Sequence, residues 1–137
     1  MYGKTFSTLG KTLDPITQDS CAFYERTAIF ADYDGVANGP QEGINISKAL
    51  ADKDFLILQN HGILTTGSMI DTTIWYFLNM EDACKSQLIA ESVGKPIKIP
   101  HDIACNTRDY VANDLSAFVS LQPLLDLLWE EEKDFLD

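Results

Sequence analysis

Apolar residues along the chain fall into short runs that predict an alternation of strands and helices. The densest run, Phe55–Leu58, predicts a buried strand over about residues 54–59. Gly62 then breaks the pattern, and residues 63–66 predict either a continuation of that strand or the return strand of a hairpin. His61 lies at the break, so we expect it at the end of a strand, within an apolar strand-turn-strand unit.

A long helix is predicted after this unit. Its bounds are about residues 69–92, because apolar residues recur there at helical spacing. Ser68 and Asp71 have the order of a capping box, which predicts that side chains satisfy the first backbone N–H groups of the helix. We expect a buried set in the strands and a helix face packed over it: Leu56, Ile57, Leu58, Ile63 and Leu64, covered by Ile74, Phe77 and Leu78.

The first part of the chain predicts two further helices and a strand. Residues 4–9 favour a short helix that Gly10 stops, and residues 28–31 favour a strand. The turn-rich loop 32–40 ends at Pro40, which suits the first position of a helix to about residue 51. The predicted buried face of that helix consists of Ile44, Ile46, Ala49 and Leu50. This order of elements indicates an α/β fold.

The last third of the chain predicts a connector followed by a helical tail. Residues 93–105 contain one glycine and two prolines, which favours a connector. Asn106 with Asp109 predicts the start of a helix, and Pro123 predicts its interruption. The segment 121–129 is rich in leucine and is exposed unless it packs on the chain's own sheet or on a neighbour, so we expect an interface there.

Composition limits the classes of function. The length of 137 residues and 45% hydrophobic content fit one globular domain. The net charge of −11 argues against binding to nucleic acid or to an anionic membrane, since phosphate backbones are bound by clustered lysine and arginine. No apolar run approaches the roughly 20 residues of a membrane span, and the start of the chain lacks the apolar core of a signal peptide. We therefore expect a cytoplasmic protein.

The cysteines predict no disulfide framework. Cys21, Cys84 and Cys105 are odd in number and form no C-x-x-C pair, so neither a disulfide set nor a thiolate zinc site is indicated. We interpret all three as reduced thiols of the core.

Two interpretations of His61 follow from the residues alone. It is either a metal ligand or a general base, or else a buried histidine whose ring is bonded to backbone or to Asn60. Gly62 beside it is expected to need a positive φ angle or a close approach of backbone, although a plain turn explains it equally. His101 follows Pro100 and is predicted to be a surface residue rather than a replacement ligand.

Four segments of the chain resemble the class II aldolase/adducin family, in its fungal-type branch. They read YGKTFSTLGKTLD (2–14), ITQDSCAF (16–23), LQNHGILTTG (58–67) and WYFLNMEDAC (75–84). The resemblance implies an α/β/α sandwich around a mixed or largely antiparallel sheet. In that family a divalent metal, usually zinc, is held by three histidines, and His61 matches the last of them.

The resemblance also implies what lies outside this sequence. In the family the other two histidines form a His-x-His pair immediately upstream of the segment that matches Tyr2. The same upstream part supplies the first strands, a glycine-rich loop and an acid/base carboxylate. We therefore expect a single, partial domain over residues 1–137, truncated at its N-terminus, with 93–137 as connector and helical tail. Zinc is expected to be weakly bound or absent, because catalytic zinc normally takes three protein ligands.

The family suggests three functions. The first is a lyase-type enzyme that acts on a small carbonyl-containing molecule, with altered or lost metal dependence. The second is a non-catalytic interaction protein, as in the adducins, which keep the fold without the metal histidines. The third is a truncated fragment of a longer metal-dependent aldolase. Family enzymes are commonly oligomers, and we expect this chain to form a homo-oligomer.

Overall fold

The computed structural model describes residues 1–32 and 39–132 and confirms the α/β fold. Most of the loop predicted at 32–40 lies outside the described residues. The elements in chain order are α1 (Tyr2–Ser7), a 3₁₀ segment (Asp19–Phe23), β1 (Thr27–Phe30), α2 (Pro40–Leu50), β2 (Phe55–Leu58), β3 (Gly62–Thr65), α3 (Ile70–Val93), α4 (His101–Val111) and α5 (Asp114–Glu131).

The strands of the described residues form one mixed sheet in the order β1-β2-β3. β1 and β2 are parallel, with Thr27 opposite Phe55. β2 and β3 are antiparallel, with Leu56 opposite Leu64. The segment after Gly62 is thus the return strand of a hairpin and not a continuation of β2.

The side chains of β2 point alternately to two helical layers. Phe55 and Ile57 are fully buried in a core shared with Tyr76 and Met80 of α3. Leu56 is also fully buried but lies outside that core cluster, on the face where α2 contacts β1 and β2. The sheet therefore lies between α2 and α3, as expected for an α/β/α sandwich.

One predicted buried face is confirmed in part and the other is wrong. On α2, Ile46, Ala49 and Leu50 are partly buried, whereas Ile44 is 47% exposed. On α3 the buried stripe runs through Thr72, Tyr76, Met80, Ala83, Cys84 and Gln87. Ile74 and Leu78 fall on the opposite side of the helix from Tyr76, at 3.6 residues per turn, and Phe77 is also partly exposed. The apolar residues of α3 suggested one stripe, whereas the buried stripe mixes Tyr76 and Met80 with small and polar residues.

The predicted capping box at the start of α3 does not form. Met69 is the N-cap residue, and no side chain caps the helix. Ser68 instead donates a hydrogen bond from its hydroxyl to Asp114 Oδ2 at 2.7 Å, and Thr72 Oγ1 lies 3.4 Å from Asp114 Oδ1. These bonds join the starts of α3 and α5, which also pack against each other.

The helical tail differs from the prediction in two ways. α4 begins at His101, directly after Pro100, so part of the predicted connector is helical. Asn113 rather than Asn106 caps the following helix, accepting a hydrogen bond from the Ser116 amide at 3.0 Å. Pro123 lies within α5 without ending it, because the buried residues Ala117 and Leu121 hold the helix in the fold.

The outer surface of α5 carries many exposed apolar residues, and the interface expected there stays a prediction. The exposed large residues of α5 are Leu115, Phe118, Val119, Leu124, Leu127, Leu128 and Trp129. None of the helices in residues 1–32 and 39–132 has the length and apolar character required to cross a membrane.

Candidate active site around His61

His61 lies in the tight turn that joins β2 to β3. Its backbone N–H donates to Leu58 O at 2.9 Å, which closes the turn. Asn60 adopts a left-handed conformation with φ 61°, and Gly62 has φ 156°. A Cβ atom at Gly62 would meet no atom within 4 Å, so this glycine is needed for its conformation and not for a close approach.

The His61 side chain is exposed, which contradicts the interpretation as a buried, bonded histidine. No hydrogen bond joins its ring to any other residue in the described part of the chain. Both ring nitrogens are therefore free to exchange protons with a ligand or to bind an ion.

A groove of about 440 Å³ extends from His61 between β3 and α3. Its walls are apolar apart from the hydroxyl groups of Thr65 and Thr73. Ile74, Phe77 and Leu78, which were expected to pack over the sheet, line this groove and are 41%, 42% and 45% exposed. An apolar groove with one titratable group at its end is the usual form of a small-molecule site.

The groove does not supply a metal site of the family type. Its lining residues include one histidine and no cysteine or carboxylate among those that the structure describes. Three protein ligands are needed for a catalytic zinc ion, so the described residues around His61 do not fit one. We derive no chemical step through a metal at this position.

A second group of reactive side chains lies elsewhere, where α4 meets the segment before β1. Glu25, His101 and Cys105 offer ligand atoms that all lie within 4.8 Å of one another. His101 is exposed, as predicted, but Cys105 is only partly buried and is not a core thiol. Cys21 and Cys84 are buried and free, as predicted.

Neighbouring polar groups orient this cluster. The Tyr24 hydroxyl lies 3.2 Å from His101 Nδ1, and Arg108 Nη1 lies 3.5 Å from Glu25 Oε2. Partial desolvation and the Glu25 carboxylate raise the pKa of the Cys105 thiol above its ordinary value, and Arg108 opposes this. A bound cation would act in the opposite direction and favour the thiolate.

Sequence reasoning missed this cluster for a definite reason. Residues 93–105 were interpreted as an irregular connector, in which the spacing of His101 and Cys105 has no meaning. In a helix, residues four positions apart lie on one face, and that spacing was the available signal. Glu25 is 80 residues from Cys105 in sequence, and only the fold brings it there.

The comparisons with known proteins agree with this fold. The model of the class II aldolase and adducin N-terminal domain matches residues 1–88, and the chain belongs to this family. A decarboxylase, NovR, of Streptomyces niveus is 36% identical over 124 residues, which are 90% of this chain and 46% of that protein. Rat alpha-adducin is 31% identical over 87 residues, which are 63% of this chain and 12% of that protein.

A solved structure is similar over nearly the whole chain. The L-fuculose 1-phosphate aldolase from Glaciozyma antarctica PI12 superposes with a TM-score of 0.82 and 36% identity, covering 98% of this chain and 52% of that one. The chain therefore spans about half the length of the enzymes that it matches, 46% of one and 52% of the other.

Proposed function

We propose that this chain carries part of a lyase-type site, in which His61 transfers a proton next to the carbonyl group of a small molecule held in the adjoining groove. The observation that carries the proposal is the exposed His61 ring, which has no partner among the described residues and lies at the end of an apolar groove. A neutral imidazole nitrogen accepts a proton, which suits general base catalysis.

The surroundings of His61 support a role that does not depend on metal. Class II aldolases usually use a divalent metal, but the described residues that line this groove include one ligand-type side chain, His61. A base can remove a proton next to a carbonyl without a metal, although more slowly than with one. Altered metal dependence is therefore part of the proposal.

Solvent-exchange experiments test this function. A base next to a carbonyl exchanges the neighbouring C–H hydrogen with deuterium from D₂O, which proton NMR follows directly. Dihydroxyacetone serves as the probe, with EDTA present. We expect His61→Gln to lower the exchange rate at least about tenfold. This is a smaller effect than the roughly 10²–10⁴-fold contribution of general acid–base catalysis in a complete site. Glutamine keeps a polar side chain but cannot act as a base.

The matched control for this experiment is Ile97→Ala, a change at a residue that is 91% exposed. This variant is expected to exchange at the rate of the unchanged chain. Equal rates in His61→Gln and the unchanged chain would reject His61 as the base.

A second candidate function, an adducin-like interaction protein, is favoured by two surfaces. β3 pairs with β2 alone among the described strands, and an open strand edge recruits other strands. The second surface is the exposed apolar side of α5, and exposed apolar patches usually mark interfaces. We propose that these surfaces make the chain a homo-oligomer. Sedimentation equilibrium at micromolar concentration distinguishes this from a monomer.

The remaining assignments are proposals of the same kind. We propose one partial domain over residues 1–137, supported by the packing of α5 on α3 and of α4 on the 3₁₀ segment. A cytoplasmic location is supported by three free cysteines, which suit a reducing compartment. The fungal-type branch stays a prediction that depends on the quoted sequence segments.

A further inference from the structure

The cluster of Glu25, His101 and Cys105 is separate from the groove at His61. None of its residues lines that groove. It combines a carboxylate, an imidazole and a thiol, the three side-chain types that bind zinc in proteins. Within the described residues it is the only grouping of three such side chains at ligand distance.

The spacing of the ligand atoms is close to that of a tetrahedral zinc site. With typical zinc–ligand lengths, tetrahedral geometry places sulfur, nitrogen and oxygen ligands about 3.3 to 3.6 Å apart. Cys105 Sγ lies 3.8 Å from both Glu25 Oε2 and His101 Nδ1. His101 Nδ1 lies 3.6 Å from Glu25 Oε1. The two distances to Glu25 run to different carboxylate oxygens. With one ligand atom per residue the three atoms lie within 4.8 Å of one another, so side-chain rotations must bring them closer to bind an ion.

Ordered backbone presents all three side chains. His101 and Cys105 are four residues apart on α4, so they lie on the same helix face. Glu25 is held in a left-handed conformation, φ 60°, in the turn between the 3₁₀ segment and β1. That turn is fixed by Arg26, whose amide donates to Phe23 O at 3.2 Å and whose Nε binds Asp54 Oδ2 at 2.7 Å.

The charges around the cluster can accommodate a cation. Arg108 lies 3.5 Å from Glu25 Oε2 and would be displaced from that oxygen. It keeps two other partners, Asp109 Oδ1 at 2.9 Å and the Tyr24 carbonyl at 3.4 Å. The ring nitrogen that has the ligand spacing of this cluster is His101 Nδ1, so zinc binding there would displace the Tyr24 hydroxyl, which lies 3.2 Å from that nitrogen.

We propose that Glu25, His101 and Cys105 bind a zinc-class divalent cation. The three side chains leave a fourth coordination position for water, and their thiolate and imidazole donors favour zinc over magnesium or calcium. The ion ties α4 to the turn before β1. The sequence predicts neither a thiolate zinc site nor a ligand role for His101, because Glu25 is far along the chain from the other two residues of this cluster.

Cobalt and zinc titrations of the full chain test the proposal. After removal of metal with a chelator, we expect one equivalent of Co²⁺ to produce the absorption of a thiolate–cobalt bond, and zinc to abolish it by displacement. Cys105→Ser is expected to remove this absorption. His101→Ala and Glu25→Gln are expected to weaken zinc binding by more than about tenfold, the lower limit for a group that only orients a ligand.

Two controls separate this site from the one at His61. His61→Ala is expected to leave the cobalt absorption and the zinc affinity unchanged, while it affects proton exchange next to a carbonyl. Circular dichroism of each variant checks that the fold is retained. The proposal is overturned if cobalt binds without the thiolate absorption, or if Cys105→Ser binds zinc as tightly as the unchanged chain.

Discussion

Phe55→Ala is expected to lower the free energy of unfolding by about 3–5 kcal/mol, the usual cost of removing a buried phenylalanine. Phe55 is fully buried in β2. Its ring packs edge-to-face on Phe23 at 4.9 Å and on Tyr76 at 5.0 Å, between ring centroids. The guanidinium of Arg26 lies 5.1 Å from the same ring. The substitution therefore removes packing from the 3₁₀ segment, the sheet and α3 together.

Phe118→Ala is the matched control, because Phe118 on α5 is 42% exposed. It removes the same atoms from a site where water already contacts the ring, so the loss is expected to be much smaller. Urea unfolding followed by circular dichroism compares the two variants. Equal losses of stability would show that β2 is not the centre of the core.

Gln87→Met is expected to lower the free energy of unfolding by about 1–3 kcal/mol, although it keeps the size and helix propensity of the side chain. Gln87 is fully buried on α3. Its Oε1 accepts from the Asp14 amide at 2.8 Å, and its Nε2 donates to Glu91 Oε1 at 2.9 Å. Methionine would leave the Asp14 N–H without this partner.

The free energy of unfolding of Gln87→Met should be measured at pH 7. Hydrogen bonds from Lys11 and then Gln87 hold the pKa of Glu91 below its ordinary value of 4.5. This contribution to stability is present above pH 4.5 and is lost as the pH falls through the lowered pKa. Gln41→Met, at an exposed position of α2, is the control and is expected to change stability by less than about 0.5 kcal/mol. If both variants lose the same stability, the buried amide has no special role.

The elements with strong periodicity were predictable from the sequence. β2 and α3 lie within one residue of their predicted bounds, because a dense apolar run and a long periodic segment leave few alternatives. Helix α4 was not predictable in the same way. The prolines of residues 93–105 predict a connector, but a proline directly before a helix costs it no hydrogen bond. Pro123 predicts an interruption of the last helix, and tertiary packing overrides that local cost.

The sites were predictable only in part. The position of His61 at the end of β2 follows from the sequence, but its exposure does not, since the turn lies among apolar residues. Exposure depends on how Asn60 and Gly62 direct the chain away from the core. The neighbours of Cys105 depend on contacts between distant segments, which spacing along the chain does not reveal.

Imidazole NMR of the ¹⁵N-labelled chain during zinc titration tests the central claim about His61 most directly. The chain has 2 histidines, so each can be assigned with one variant. The account predicts that the His61 ring signals stay unchanged at one equivalent of zinc and move only in excess, because no second ligand-type side chain lines its groove among the described residues. His61 signals that shift and saturate at one equivalent would contradict it and show a complete metal site at His61.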